Sequence, residues 1–447
     1  DVDRIEAKIK ELFSPIKMPE NVAERVYQQV PDNEGTIVAI GHDKEMQNAQ
    51  IQLMFKSDVM PAEFKNTQMF YVQNYVEYMI DHMLQGRLDE ISSKPDAPYA
   101  GAGVSQGNFF VSKTKDAFSL IIVPHEGRLE EGLAAVYREF LRAARHGFTY
   151  TEFERAKNEY ESRIDRVYNN RSTRENSEFT QAYIDNFLNN EPIPPIDIEY
   201  NINKALVQQI PLELINQALA EAYKAAEKDN RVLMALLPEN AEGKYPTEEG
   251  LLAVLAATDA ETLEPYADNV KTEPLIPQLP AAGKVVKTRE LPEWGAIEWT
   301  LSNGARVIVK STKFKEDEIL FSARETGRGT ALFGNEYADS KTVLPLALRQ
   351  MGMGTFNSTD MQKYLSGKQA YANFSFGDYS GVLSGQTTPK DLPTLMELIY
   401  ASFTMPNFDT DEFTSMKNTY AAVLHNQESN PEYQFQKFLL SKLYLLI

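Results

Sequence analysis

The chain has 447 residues, 64 Asp and Glu against 45 Lys and Arg, a formal net charge of −19, and no cysteine. That length exceeds the roughly 250–300 residues at which a single hydrophobic core stops growing, so more than one domain is expected. The negative balance argues against nucleic acid as a partner, the missing cysteines exclude disulfides, thiolate metal sites and cysteine nucleophiles within the chain, and no run approaches the roughly 18 apolar residues of a helical membrane span.

In chain order, residues 1–20 read as an amphipathic helix with Ile5, Ile9, Leu12 and Phe13 on one face, closing at Pro15 and Pro19. The chain opens at Asp1 in mid-pattern and stops as abruptly after FQKFLLSKLYLLI, so an internal piece of a longer polypeptide is expected. GTIVAIGHD and NAQIQLMFK are rich in β-formers and read as strands. A helical stretch from Ala62 to about Ser92 follows, then a Gly-rich turn, then strands around Asn108–Ser112 and Phe118–Val123. The turn, Gly101-Ala-Gly103 with Gly107, is not a dinucleotide loop: its spacing is off by one, and a strand is expected where a helix N-terminus is required. Two helices, further helices to about Lys228, and the strand RVLMALLP complete this part. Residues 239–296, dominated by Pro, Glu, Gly and Ala, read as an inter-domain linker with one short helix near Glu248–Ala257. At Ile297 a new domain opens with the hairpin IEWTLSNGARVIVKS, which turns at Ser302-Asn303-Gly304. A strand EILFSARETG, helices around Tyr337–Met351 and Thr359–Leu365, and strand pairs through Tyr371–Gly385 follow.

The strongest internal signal is a repeat. FTYTEFERAKNEY, starting at Phe148, returns as FDTDEFTSMKNTY, starting at Phe408, 260 positions later (148 to 408). Phe148, Glu152, Phe153, Lys157, Asn158 and Tyr160 match Phe408, Glu412, Phe413, Lys417, Asn418 and Tyr420. A period of that size is the length of a domain, not of the 20–50-residue unit of a solenoid. Upstream of each copy lies an amphipathic helix, with Leu129, Leu133, Val136, Tyr137, Phe140 and Leu141 in the first and Leu392, Met396, Ile399, Tyr400 and Phe403 in the second. Each copy therefore reads as strand, helix, short loop and second helix. The expected class is α+β: tandem repeated domains, each a mainly antiparallel β-sheet with helices packed on one face.

This combination resembles the pitrilysin/insulinase-like family of inverted-motif zinc peptidases. WTLSNGARVIV looks like the hairpin that opens a family domain, and MGMGTF followed by TDMQKYLSG looks like the stretch after the family's metal helix. FTMPNFDTDEFTSMKNTYAAVLHNQESNP resembles the loop and long helix that end the metal site in active units. LQGRLDEI, APYAGAG and the helix pair over 127–168 resemble the second domain of a family unit. The family's catalytic domain carries H-x-x-E-H on a helix: two His four apart hold one zinc, the Glu acts as general base on bound water, and a distant Glu supplies the third ligand.

That site is not written in this chain. Its histidines are His42, His82, His125, His146 and His425, and no two are four residues apart. By alignment on Gly354-Thr355 the three motif positions fall near Pro345, Leu348 and Arg349, and Phe413 to Gln427 contains no Asp or Glu. The resemblance implies residues 1–24 as the tail of a preceding catalytic domain, 25–238 as a second, non-catalytic family domain, 239–296 as linker, and 297–447 as a third, degenerate copy of the catalytic domain. No catalytic, cofactor-binding or metal-ligating residue is assigned. Zinc is expected in the parent protein and not in this chain. Partners implied are a peptide or unfolded polypeptide, the missing N-terminal catalytic domain and a C-terminal domain, with a bacterial periplasm or envelope as the suspected location. The alternative is a scaffold or pseudo-peptidase subunit without hydrolytic activity, to be told apart by the sequence upstream of Asp1.

Individual motifs weigh less. The family holds substrate backbone with an Arg and a Tyr at a short fixed spacing, but Arg87 and Tyr99 are twelve apart, so Arg87 is read as a surface or ion-pair residue and Ser92 fills the closer slot. His125-Glu126 lacks the second His of H-E-x-x-H, and the adjacent pairs Asp89-Glu90 and Glu130-Glu131 point apart on their helices. Asn373 is placed on a strand that lines a cleft in the family.

Overall fold

A computed structural model describes residues 1–447 except 24–25, 240–244, 328, 428–429 and 445–447. Helix α1 (Val2–Phe13) is followed by strands β1 (Thr36–Asp43) and β2 (Gln50–Asp58). Helices α2 (Ala62–Lys65) and α3 (Gln68–Ser92) lead into the hairpin β3 (Tyr99–Asn108) and β4 (Lys115–Pro124). Then come α4 (Leu129–His146), α5 (Tyr150–Asn169), α6 (Asn176–Asn189), α7 (Ile196–Gln209), α8 (Leu212–Ala225) and β5 (Arg231–Pro238). After α9 (Glu248–Asp259) the second part runs β6 (Val285–Leu291), β7 (Ala296–Leu301), β8 (Arg306–Val309), β9 (Ile319–Thr326), α10 (Ala338–Gln350), α11 (Ser358–Leu365), β10 (Ala370–Phe376), β11 (Ser380–Thr387), α12 (Leu392–Thr404), α13 (Thr410–Gln427) and α14 (Pro431–Tyr444).

The first unit is a five-stranded sheet in the order β1-β5-β2-β4-β3. Only β1 and β5 run parallel; the other pairs are antiparallel. Alternate residues of its central strands, Ile51, Leu53 and Phe55 on β2 and Leu120 and Ile122 on β4, enter one core with the helices. Against them lie Tyr75, Met79 and Met83 of α3 and Leu133, Val136, Tyr137 and Phe140 of α4, each at helical spacing. The second unit has a three-stranded antiparallel sheet in the order β10-β11-β9, and a separate antiparallel sheet β6-β7-β8. Hairpin, helix, loop, helix occurs in both units, as β3-β4-α4-α5 and as β10-β11-α12-α13.

Several expectations are corrected. Helix α1 ends at Phe13 rather than near residue 20, and the stretch from Ala62 breaks at Thr67, whose hydroxyl caps the Met69 N–H and so starts α3 anew. The Gly-rich segment is itself strand β3, and the expected strand at Asn108–Ser112 is mostly the turn that joins β3 to β4. The reason is a packing one. β3 is a sheet edge paired with β4, and Gln85 of α3 ties its backbone down, donating to Ala102 O at 2.9 Å and accepting from Val104 N–H at 3.2 Å.

The stretch 239–296, expected as a linker, is largely built in. Leu251 and Leu255 of α9 and Leu263 join the core of the first unit, while Leu275 packs with Phe356, Met361, Leu398 and Ala401 of the second. Strand β6 precedes the hairpin expected to open the domain and pairs with β7, so that sheet begins at Val285. Helix α9 stands where a short helix was expected, near Glu248–Ala257, but its packing and that of Leu263 and Leu275 is tertiary and carries no period in the sequence.

Candidate functional site

The helix pair repeated in sequence sits in two different surroundings. In the first copy Phe148 is 4% exposed; its counterpart Phe408 is 61% exposed. The difference lies in what closes over the loop. Asn216 of α8 accepts from the Phe148 N–H at 2.8 Å, and Arg87 lies over the Phe148 ring. Arg87 is 2% exposed and fixed on all sides. Its Nε and Nη2 donate to the two oxygens of Glu152 at 2.6 and 2.9 Å, Nη2 also to Gly147 O at 3.1 Å, and Nη1 to Glu139 at 3.4 Å. The Tyr266 ring stacks on the guanidinium 4.2 Å from its centroid. Arg87 is thus an ion-pair residue of the core, and the surface position entertained for it is corrected. Tyr99 is fully buried, its hydroxyl donating to Leu88 O at 2.9 Å. Neither residue reaches a cleft.

The cleft lies between the two units and holds about 720 Å³. The C-terminal turns of α3 supply Asp89, Ser92 and Ser93; β10 supplies Tyr371 to Phe374; α10 supplies Leu348; and α13 supplies Glu412, Ser415 and Met416. Its floor includes the loop after α10. Gly352 turns there so tightly that a β-carbon would collide with Phe356 O, and Gly354 N–H donates to Met405 O at 2.7 Å. Met351, Met353, Met361 and Met416 line the walls, a polarisable and adaptable apolar surface.

Two polar atoms in the lining are conspicuous. Asn373 Oδ1 and Glu412 Oε2 are buried with no hydrogen-bond partner among the described residues, although Glu412 Oε1 accepts from the Ser358 N–H. An unmet buried acceptor costs about 1–3 kcal/mol unless a donor arrives. Burial raises the Asp89 carboxyl above its usual range, partly offset by the hydrogen bond from Gln85. β10 is an edge strand, so one of its two ladders of backbone groups has no strand partner. The cleft can therefore offer backbone pairing, an apolar wall and two acceptors to an extended chain.

The units are held together around it by a charged seam. Lys363 of α11 donates to Glu90 at 3.2 Å and Asp268 at 3.0 Å, and Arg155 donates to Asp268 at 2.7 Å. Burial would lift the Asp268 carboxyl, but hydrogen bonds from Arg155, Thr151 and Lys363 outweigh it and hold the group below the usual carboxylate range. Gln369 donates to the Ser162 hydroxyl and carbonyl at 2.9 and 3.0 Å.

The inverted-motif positions fall on α10. Pro345 stands inside that helix, Leu348 faces the cleft, and the side chain of Arg349 lies outside the described residues. The side chains of proline and leucine have no lone pair to offer a metal, so this donor set does not fit zinc. Among the described residues no three His, Cys, Asp or Glu side chains gather as a metal site. The histidines are scattered: His42 stacks on Tyr245, His82 on Tyr78, and His146 is hydrogen-bonded to Leu263 O at 2.7 Å. His125 precedes α4, and the His425 side chain lies outside the described residues. Of the residues singled out from sequence, the structure brings Asp89, Ser92, Leu348, Asn373 and Glu412 to one cleft. It adds the methionine wall, for which the MGMGTF motif was the available signal.

No family model matches the chain. Among curated proteins it is similar to a PQQL-like zinc protease of Arabidopsis thaliana, 24% identical over 308 residues, covering 69% of this chain and 28% of that protein. It is also similar to the probable zinc protease PqqL of Escherichia coli K12, 21% identical over 446 residues, covering 97% of this chain and 46% of that one. The chain thus spans less than half the length of these relatives. Among solved structures, the periplasmic protease PqqL from Escherichia coli superposes with a TM-score of 0.51 at 19% identity, over 99% of this chain and 48% of that one. A mutant of the ferredoxin protease FusC, solved in complex with Arabidopsis ferredoxin, gives 0.58 at 15%, over 98% and 48%. The architecture, two α+β units joined along one chain, is shared with about half of the PqqL chain, 48% of which is covered. These similarities support the resemblance to the pitrilysin/insulinase-like peptidases.

Proposed function

We propose that this chain is the non-catalytic part of a zinc-dependent endopeptidase or oligopeptidase and forms a wall of its substrate chamber. Zinc, water and general base belong to a catalytic domain outside this chain, and the cleft between the units holds peptide or unfolded polypeptide. Residues 25–238 act as the second family domain and 297–447 as a third, degenerate copy. A periplasmic or envelope location follows the same reading, by analogy with the periplasmic relative. The observation that carries it is the cleft: an edge strand, a methionine wall and two unmet acceptors, at the place where a proline and a leucine stand at motif positions.

The test is direct binding. A fluorescein-labelled unstructured 15-residue peptide is titrated against the chain and against Ser402→Trp, a position of α12 that lines the cleft, where an indole takes up its space. Saturable binding that weakens about tenfold or more in a variant of unchanged melting temperature is the expected result. Binding that ignores Ser402→Trp, or no binding at all, refutes the reading. Zinc analysis of the full natural polypeptide should find one equivalent, and this chain alone none.

A further inference from the structure

A second cavity lies on a different part of the first unit and shares no lining residue with the cleft. It holds about 590 Å³ between α3, α5, α6 and α7. Five tyrosines form much of its wall: Tyr71, Tyr78, Tyr160, Tyr168 and Tyr200. Tyr168 and Tyr200 stack with centroids 4.1 Å apart, and Tyr78 meets Tyr160 edge-on at 5.0 Å. Burial lifts Tyr71, Tyr78, Tyr160 and Tyr200 to about 12, so these phenols stay neutral while their ring faces keep a negative quadrupole.

The charges in the lining are unequal. Glu178, Asp185, Glu191 and Glu199 face a single cation, Arg163, which is exposed and lies 5.4 Å from the Tyr78 centroid. Glu178 is matched by Arg174 at 3.1 Å. Glu199 makes no ion pair among the described residues, and burial raises its carboxyl against the pull of Arg174. The tyrosines already attract the protein's own cations, Arg171 at 4.1 Å over Tyr168 and Lys204 at 5.9 Å over Tyr200. A neutral apolar guest would leave Glu199 further desolvated without a counter-charge, and an anion would be repelled by the same carboxylates. A cation gains from both the rings and the acid.

We propose that this tyrosine-walled pocket binds the basic side chain of a polypeptide, an arginine or lysine, with Glu199 as its counter-charge. The pocket and its charges belong to this chain, so the proposal stands whether or not the parent protein hydrolyses peptides. The experiment is calorimetric titration of the chain with the acetylated, amidated pentapeptide Ala-Ala-Arg-Ala-Ala and with its citrulline analogue, which keeps shape and loses charge. The arginine peptide should bind at least about tenfold tighter, and Glu199→Gln should erase most of that preference while the melting temperature holds. Asp185→Asn serves as a second variant should Glu199→Gln disturb folding. Equal binding of the two peptides, no binding of the arginine peptide, or a preference that survives in both folded variants overturns the proposal.

Discussion

Replacing Arg87 by methionine tests the core of the first unit most sharply. Methionine fills the aliphatic volume but strips two carboxylates of their shared cation. Glu152 loses a bidentate pair at 2.6 and 2.9 Å, and Glu139 keeps only Arg142 at 3.0 Å. Removing one partner of a buried ionic group costs about 3–5 kcal/mol, because the remaining charge is left desolvated. At roughly 2–4 °C per kcal/mol for a unit of this size, the melting temperature should fall by about 6–20 °C, read by near-ultraviolet circular dichroism. Adding Glu152→Gln to Arg87→Met removes the stranded charge while keeping the capping geometry at Thr149, so the double variant should be the more stable of the two. The pH dependence has a defined sign. Burial raises the Glu139 carboxyl, against Arg142 and Arg87, so its contribution is fully present below its unfolded value and lost as pH rises through its folded one. Loss of Arg87 deepens that effect, and the deficit of the variant should narrow as pH falls from about 7 toward about 5. A melting temperature within about 2 °C of the parent, or a double variant less stable than the single, would refute the reasoning.

Other perturbations read other links. Asp268→Asn should weaken the seam between the units by about 1–3 kcal/mol and raise susceptibility to limited proteolysis. Because the Asp268 carboxyl is depressed, its contribution is present above its unfolded value and lost as pH falls through the folded one, so acid sensitivity below about pH 4 should lessen in this variant. Burial pushes Asp81 up to about 6, with Gln106 pulling it down and Glu77 adding to the rise. That favours the protonated form, so Asp81→Asn should stabilise by about 1–2 kcal/mol at pH 8, by roughly half as much at pH 5, and by nearly nothing only below about pH 4, where the unfolded carboxyl is itself protonated, measured by urea unfolding. Gly147→Ala forces a β-carbon to within 2.5 Å of the Asn216 side chain at a φ of +76°, and should lower the melting temperature measurably by displacing the cap on Phe148.

The parts of the fold legible in the sequence were those with a period or a repeat. β1, β2, β5 and the helix pair were written in alternation or in 3.6-residue spacing, and the six shared residues located the second copy. Arg87 was misplaced for a specific reason. Tyr75, Met79 and Met83 step along α3 by four, and Arg87 is the next step, so the stripe itself announced a buried position. Of its reading as a surface or ion-pair residue only the second half holds, because the two carboxylates that keep the charge in the core come 52 and 65 residues later, beyond any local pattern. The glycines of β3 were misread in the same way: what makes that segment a strand, its pairing with β4 and the hydrogen bonds to Gln85 of α3, is tertiary.

The contrast between the two copies bears on how function was divided between them. Glu152 and Glu412 occupy equivalent positions at the start of equivalent helices. In the first copy the carboxylate is consumed by Arg87 and the loop is sealed; in the second, the residue lines the cleft, with one oxygen bonded to Ser358 N–H and the other buried without a partner among the described residues. A sealed copy contributes rigidity, and an open one contributes a surface. The orphan acceptors are what separates a binding cleft from leftover space: their cost is recovered only when a donor such as a peptide N–H reaches them. Substituting Asn373→Leu should therefore leave stability unchanged or raise it slightly, since it deletes an unmet acceptor, while weakening the labelled peptide about tenfold. A loss of stability without a loss of binding would mean that Asn373 serves the fold and not the cleft.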